Sequence, residues 1–209
     1  MLLALLALAG SGCSAVVQIL APLLRPDIDF VHGALSEYAV GQWGLLNSLG
    51  FVGLGIAALS IAAALLWRGV ASIWAALAVA SLTLAGVFSL GSAWYPMGAS
   101  GPVTPIGDAH QSATTLAAAS FLTAMASLLP VFHDSADWSS RVLPSAALTA
   151  LGVLSALITQ AQILWPQLGV PFGIAMRGVS FAIGVWTLLV AIHLWPFAQN
   201  VRSRSTGAR

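Results

Sequence analysis

An all-α membrane bundle of six transmembrane helices is the fold class that this sequence predicts. Of its 209 residues, 59% are hydrophobic and only 6% are charged, whereas about a quarter of the residues in a soluble domain are charged. So few charges cannot cover a water-facing surface, and they form no concentrated basic face for nucleic acid. Six apolar stretches are each about as long as the roughly 20 residues that a membrane-spanning helix needs.

The six predicted spans are separated by turn or charge signals. They cover residues 2–24, 44–67, 71–94, 110–132, 143–165 and 175–197. RPDID ends the first span, and the short WRG break makes the second and third a tight helical hairpin. YPMGASGPVTPIGD, HDSADWSSR and WPQLGVPFG supply the remaining breaks. These boundaries predict one transmembrane domain over residues 1–201 and a polar, disordered cytoplasmic tail over 202–209.

The placement of the arginines orients the predicted bundle. If the N-terminus is cytoplasmic, Arg25 and Arg177 lie outside, and the other five lie inside: Arg68, Arg141, Arg202, Arg204 and Arg209. The positive-inside rule favours this orientation, with both termini cytoplasmic. The chain contains no lysine and much alanine, a composition associated with GC-rich bacterial genomes. The predicted location is therefore a bacterial inner membrane.

Small residues on the predicted spans are expected to let the helices pack closely. Gly50, Gly53 and Ala57 lie along one face of the second span. Small side chains allow helices in lipid to approach and gain van der Waals contact. The two halves of the chain show no repeat, so an inverted-repeat transporter is not favoured.

Polar residues are concentrated at the predicted outer ends of the second, fourth and sixth spans. They are His32, Ser36 and Glu37 before the second span, Asp108 and His110 at the start of the fourth, and Arg177 at the start of the sixth. Ionisable groups at membrane depth are costly unless they pair or face water. We therefore expect a shared polar pocket at the outer face, with Glu37 and Arg177 paired across helices.

Three kinds of chemistry are compatible with this set. A hydrolase or acyl transferase would use Ser36 as nucleophile, with a histidine such as His110 as base and a carboxylate such as Glu37 to orient it, although no nucleophile-elbow pattern surrounds Ser36. A zinc site would use the two outer histidines with nearby carboxylates, but no HxxxH or HExxH spacing occurs there, so no metal is assigned. Arg177 would hold a lipid phosphate or carboxylate by its bidentate fork. This last interpretation needs the fewest unobserved contacts.

Each residue of the set also has a structural interpretation. Ser36 and Asp108 are placed where side chains cap the second and fourth helices. His110, one turn before Thr114, suits a hydrogen-bonded structural histidine, with its ring predicted to face the pocket near Ser36 or Glu37. His32 suits a hydrated position at the membrane interface.

Several segments resemble the bacterial and archaeal membrane proteins grouped as the domain of unknown function 998 family. The matching pieces include PDIDFVHGALSEYAVG, GVFSLGSAWYP and GIAMRGVSFAIGVW, the last with Arg177 at the family's arginine. TPIGDAHQ resembles the family's Thr-x-x-Gly-x-x-His element through Thr104, Gly107 and His110. The chain departs from the family at YPMG, which lacks a frequent aspartate that Asp108 is positioned to replace. The resemblance implies six spans and a shared outer polar site, and no reaction. The SE…G element is also similar to the Frag/DRAM/Sfk group of lipid-associated membrane proteins.

The sequence thus predicts a membrane protein that binds, or chemically modifies, a lipid or small amphiphile at its outer face. The catalytic candidates are His110, Ser36 and Glu37, and the ligand-binding candidates are Arg177, Asp108, His32 and Thr104. No cofactor is assigned, and whether the protein is an enzyme is left open. One alternative is a transporter or channel component, although we expect the inner halves of the helices to carry little polar chemistry beyond Gln160, Thr149 and Ser60. Another is a structural or partner-binding subunit.

Overall fold

Six long α-helices account for most of the chain. The computed structural model describes residues 1–69, 72–95 and 104–206, with side chains described up to residue 195. The helices are α1 Leu2–Leu24, α2 Gly44–Trp67, α3 Ile73–Trp94, α4 Pro105–His133, α5 Val142–Leu164 and α6 Phe172–Thr206. Each contains an apolar segment long enough to cross a membrane. The predicted all-α fold of six spans is confirmed, and the architecture is that of a multi-pass membrane protein.

The helices form a closed ring in which α6 returns to α1. Each helix packs against its neighbours in the chain, α6 packs against α1, and α6 also contacts α2 and α4 across the ring. One apolar core runs through the bundle, and its largest fully buried side chains include Trp186 of α6, Phe121 of α4 and Ile61 of α2. Among the described spans, α2 and α6 have the largest buried share of their residues.

Glycines bring α2 close to both of its neighbours. A Cβ atom on Gly53 would lie 2.6 Å from the carbonyl oxygen of Gly10 in α1. On the other side of α2, a Cβ atom on Gly55 would lie 3.0 Å from the carbonyl oxygen of Gly86 in α3. Ala57, one turn beyond Gly53, is fully buried. The predicted small-residue face of the second span is therefore a packing surface, as expected for helices in lipid.

The connections between helices define two ends of the bundle. Because successive helices run in opposite directions, the α1–α2, α3–α4 and α5–α6 connections share one end. We call residues 25–43 the cap loop and this end the cap end. The opposite end, which carries Met1 and the α2–α3 and α4–α5 connections, is the terminal end. Exposed tryptophans occur at both ends: Trp43, Trp94 and Trp165 at the cap end, and Trp67 and Trp74 at the terminal end. Such a distribution is typical of the two membrane–water interfaces.

Three predicted boundaries differ from the structure by several residues, and one of them is the start of the sixth span, which lies at Phe172 and not at 175. The fourth span begins at Pro105 and not at 110, because the side chain of Thr104 accepts a 3.1 Å hydrogen bond from Gly107 N–H and Pro105 occupies the first helical position. The tail predicted to be disordered is helical over 202–206, where it continues α6. No glycine or proline interrupts the chain between Pro196 and Gly207. The predicted start of the third span at 71 and the YPMG departure beyond Tyr95 lie outside the described residues.

Candidate functional site

Arg25 closes the cap loop on itself. Its Nε and Nη2 atoms donate to the two carboxylate oxygens of Asp27, each at 2.8 Å. Its Nη1 atom donates to the carbonyl oxygen of Val40 at 2.6 Å, which ties the start of the loop to its end. The hydrogen bond from Arg25 lowers the pKa of the Asp27 carboxyl, and the same contact raises the pKa of Arg25. The pair is therefore charged over the whole neutral range.

Asp29 orients His32. One oxygen of Asp29 accepts from the backbone N–H groups of Val31 at 2.7 Å and His32 at 3.2 Å. The other oxygen lies 3.0 Å from Nδ1 of the His32 ring. The His32 contact, together with these backbone N–H groups, lowers the pKa of the Asp29 carboxyl. An ionised Asp29 accepts a hydrogen bond from Nδ1–H, so Nε2 of His32 is the ring nitrogen that points away from this contact.

Glu37 bonds within its own loop, and its predicted pairing with Arg177 is wrong. Its Oε1 atom accepts a 2.8 Å hydrogen bond from the backbone N–H of Ala34. Residues Leu35–Ala39 form a 3-10 turn, and the N–H of Ala34, just before it, has no partner within the turn. A glutamate three residues after such a position can reach back to this N–H. This local acceptor role places the carboxylate at the exposed edge of the loop.

Arg177 fastens the cap loop to α6. Its Nη2 atom donates to the hydroxyl of Tyr38 at 2.7 Å, and its Nη1 atom donates to the carbonyl oxygens of Gly33 at 3.1 Å and Gly173 at 2.9 Å. The guanidinium also lies over the ring of Phe30, 4.3 Å from its centroid. Cations bind the negative face of aromatic rings in this geometry. The two loop aromatics in this contact were missed, although both flank His32 in the segment DFVHGALSEY.

Gly173 makes this contact sterically feasible. A Cβ atom at Gly173 would lie 2.6 Å from the carbonyl oxygen of Gly33 and 2.7 Å from Nη1 of Arg177. One residue later, the backbone N–H of Ile174 donates to the carbonyl oxygen of Val31 at 3.2 Å. The first turn of α6 therefore contacts the backbone of the cap loop directly.

His110 is a buried residue that caps the end of α3. Its ring is 1% exposed, and Nδ1 lies 3.0 Å from the carbonyl oxygen of Ser92 and 2.7 Å from that of Tyr95. Two carbonyl neighbours require the hydrogen to be on Nδ1. No partner for Nε2 occurs within the described part of the chain, and the ring packs edge-on against Phe51. The ring is therefore buried within the bundle, where it faces the end of α3 and not the predicted polar pocket.

The other predicted site residues lie apart from one another. Ser36 is 8% exposed, and its 3-10 turn packs on α2 and α6. No hydrogen bond among the described residues joins Ser36 or Glu37 to His110, so the expected proximity of the three is not supported by contacts. Thr104 caps α4 with its hydroxyl, and Asp108 is exposed in the first turn of that helix, so Asp108 does not provide the cap.

An open groove of about 380 Å³ lies where the cap loop meets the α5–α6 connection. Its walls combine polar and apolar residues: His32, Gln162, Ile163, Gly169, Val170 and Phe172. Gln162 supports one wall, because its amide donates to the carbonyl oxygen of Pro166 at 2.9 Å and accepts from the N–H of Val170 at 3.1 Å. Of the seven predicted site residues, His32 is the one that lines this groove.

Two of the polar residues expected in the inner halves of the helices have local or exposed positions. Thr149 donates to the carbonyl oxygen of Ser145 in its own helix. Gln160, expected in an inner half, lies four residues before the cap end of α5 and is exposed. Over the described ranges, no three histidine, cysteine, aspartate or glutamate side chains converge as metal ligands. The catalytic and ligand-binding roles of the seven residues stay predictions, while their positions are findings.

Of three comparisons with known proteins, one identifies the family of this chain. Neither the curated proteins nor the solved structures gave a match. A family model described as a protein of unknown function, DUF998, matches residues 8–193 and thus spans all six helices. Because the match covers most of the chain, this membrane protein belongs to the DUF998 family.

Proposed function

We propose that this protein binds an amphiphile in the groove at the cap end, with His32 contacting the polar headgroup. The supporting observation is the composition of the groove. An oriented imidazole stands beside Ile163, Val170 and Phe172, so polar and apolar contacts are available to one molecule. The volume of about 380 Å³ falls in the usual range for small-molecule sites.

The position of the groove favours an amphiphile over a fully water-soluble ligand. Trp165, next to the α5–α6 connection, is exposed at the level of the aromatic belt. Ile163 and Ile174, on the two helices that flank this connection, are 47% exposed. A molecule lying at this level can place its headgroup against His32 and its chain along these apolar side chains.

The contacts of His32 favour binding of an acidic or hydrogen-bonding headgroup. Asp29 holds the ring through Nδ1, which leaves Nε2 to form a hydrogen bond with a headgroup. Orientation of a histidine by a carboxylate also occurs in acid–base catalysis. No nucleophile contacts this ring among the described residues, so binding is the role that the geometry supports best.

Photo-crosslinking tests this proposal. The purified protein is exposed to a substoichiometric diazirine-bearing fatty acid in detergent, and the labelled peptides are mapped by mass spectrometry. We expect adducts concentrated on the groove peptides that contain Ile163 and Val170, and we expect His32→Ala to reduce this labelling severalfold.

His133→Ala is the matched control. His133 also lies 3.0 Å from a carboxylate, that of Asp134, and both side chains are at least as exposed as those of the His32 pair. It lies at the terminal end, so its removal is expected to leave labelling of the groove unchanged. Equal effects of the two substitutions, or labelling spread evenly over the six helices, would refute the proposal.

A further inference from the structure

A second group of aromatic and charged residues lies at the terminal end, far along the bundle from the cap loop. Trp138 is 6% exposed and stacks on Phe132 with ring centroids 4.6 Å apart. The ring of His193 lies 4.0 Å from that of Trp138, and the guanidinium of Arg68 lies 5.5 Å from it. Trp138 therefore brings the α2–α3 turn, the α4–α5 connection and α6 together.

The fixed charges of the described residues around Trp138 belong to Arg68, Arg141, Asp134 and Asp137. His193 lies within electrostatic reach of Arg68, of Arg141 and of the Asp137 carboxylate. The other acid of the α4–α5 connection, Asp134, is paired with His133 at 3.0 Å. Asp137 and Arg68 therefore lie within electrostatic reach of each other.

Both arginines are partly withdrawn from water. Burial lowers the pKa of Arg68 even though Asp137 acts in the opposite direction. Nε of Arg141 is buried, and no hydrogen-bond partner for it occurs within the described ranges. A partly desolvated guanidinium gains most from an anion that can accept its hydrogen bonds.

We propose that Arg68 and Arg141 form a binding site for the phosphate of an anionic phospholipid. The planar guanidinium fork matches the geometry of phosphate oxygens, and basic pockets between the ends of membrane helices are suited to anionic headgroups. Trp138 forms the floor of the site, and Asp137 limits its net charge. This site is independent of the groove at the cap end.

Exposed apolar residues next to both arginines favour a lipid over a soluble phosphate. Leu66 and Trp67, which precede Arg68, are 67% and 87% exposed. Leu143, two residues after Arg141, is 79% exposed. A headgroup held between the arginines therefore has apolar helix surface beside it for acyl chains.

Native mass spectrometry with an equimolar mixture of phosphatidylglycerol and phosphatidylcholine tests the site. We expect the wild-type protein to retain phosphatidylglycerol preferentially. Arg68→Gln and Arg141→Gln should each reduce this preference about fivefold, since one interfacial arginine contributes roughly 1 kcal/mol to binding of anionic lipid. Asp137→Asn should increase the preference, because it removes the carboxylate that competes with the phosphate.

Arg25→Gln is the matched control, because Arg25 is already neutralised by Asp27 at the opposite end. The preference of this variant for phosphatidylglycerol should equal that of the wild type.

Millimolar glycerol phosphate should not displace the bound phospholipid. Displacement would indicate a site for soluble phosphates and would overturn the lipid assignment. The proposal is also overturned if the wild type shows no preference, if both arginine variants retain it, or if Asp137→Asn leaves it unchanged. Asp137 is exposed, so its variant keeps the test decisive even where an arginine variant fails to fold.

Discussion

Arg177 donates a 2.7 Å hydrogen bond to the hydroxyl of Tyr38 across 139 positions of sequence. Tyr38 is 2% exposed, and it packs with Ile28 and Ala21 in a small core of its own beneath the cap loop. The bond therefore connects two separately packed parts of the molecule, the cap loop and α6. We therefore expect the folded position of the cap loop, and with it the groove wall that contains His32, to depend on this connection.

Tyr38→Phe is expected to destabilise the protein by about 2 kcal/mol, because a hydrogen bond to a charged donor is lost in a buried place. Thermal unfolding in detergent measures the effect. Tyr95→Phe is the control at the same end, since the Tyr95 side chain is 42% exposed, and a change below about 0.5 kcal/mol is expected for such a surface position. Equal losses in the two variants would contradict the proposed importance of the Tyr38 hydroxyl.

Glu37→Gln is expected to change the free energy of unfolding by less than about 0.5 kcal/mol, because glutamine keeps an acceptor oxygen for the N–H of Ala34. A double-mutant cycle with Arg177→Met is expected to show no coupling. A coupling energy above about 1 kcal/mol would instead restore the ion pair first predicted from the sequence.

His110→Ala is expected to cost about 2–4 kcal/mol, because the substitution leaves a cavity and removes the donor to two carbonyl oxygens. The comparison of His110→Asn with His110→Gln is more specific. Asparagine places an amide N–H close to the position of Nδ1, whereas glutamine places it near Nε2. Asparagine should therefore preserve more of the thermal stability. The opposite order would show that Nε2, and not the cap on α3, carries the role of this histidine.

Gly173→Ala is expected to loosen the cap loop, since the added methyl group would overlap the backbone of Gly33 and the guanidinium of Arg177. Hydrogen exchange of residues 25–43 should become faster. Gly12→Ala is the matched control, because a Cβ atom there meets nothing within 4 Å; alanine should be neutral or stabilise α1 by up to about 1 kcal/mol. Unchanged exchange in Gly173→Ala would show that the loop is held without this close approach.

The predicted orientation places the cap end outside the cell. In a variant that carries Cys13→Ala, a cysteine introduced at exposed Gln167 should react with an impermeant thiol reagent in intact cells. A cysteine at exposed Ser140, at the terminal end, should react only after the membrane is opened. The reverse pattern would place both termini outside and would move the groove to the cytoplasmic face.

The composition and spacing of the chain were sufficient to predict the six helices, because a helix that crosses lipid must be long and continuously apolar. The starts and ends of α1 and α2 agree with the prediction to the residue. Two of the boundaries that failed depend on local signals that were not weighed, namely the cap by Thr104 and the absence of a helix breaker before Gly207.

The partners of those polar residues were decided by tertiary structure alone. Periodicity places Glu37 and Arg177 at the same membrane level, but it cannot show that Glu37 turns back to its own backbone while Arg177 reaches Tyr38 and Gly33. Both choices depend on where the cap loop folds, and that is set by the close approach of Gly173 and by the small core around Tyr38. Hydropathy therefore determined the level of each group in the membrane, and only the packing of the loop on α6 determined which groups touch.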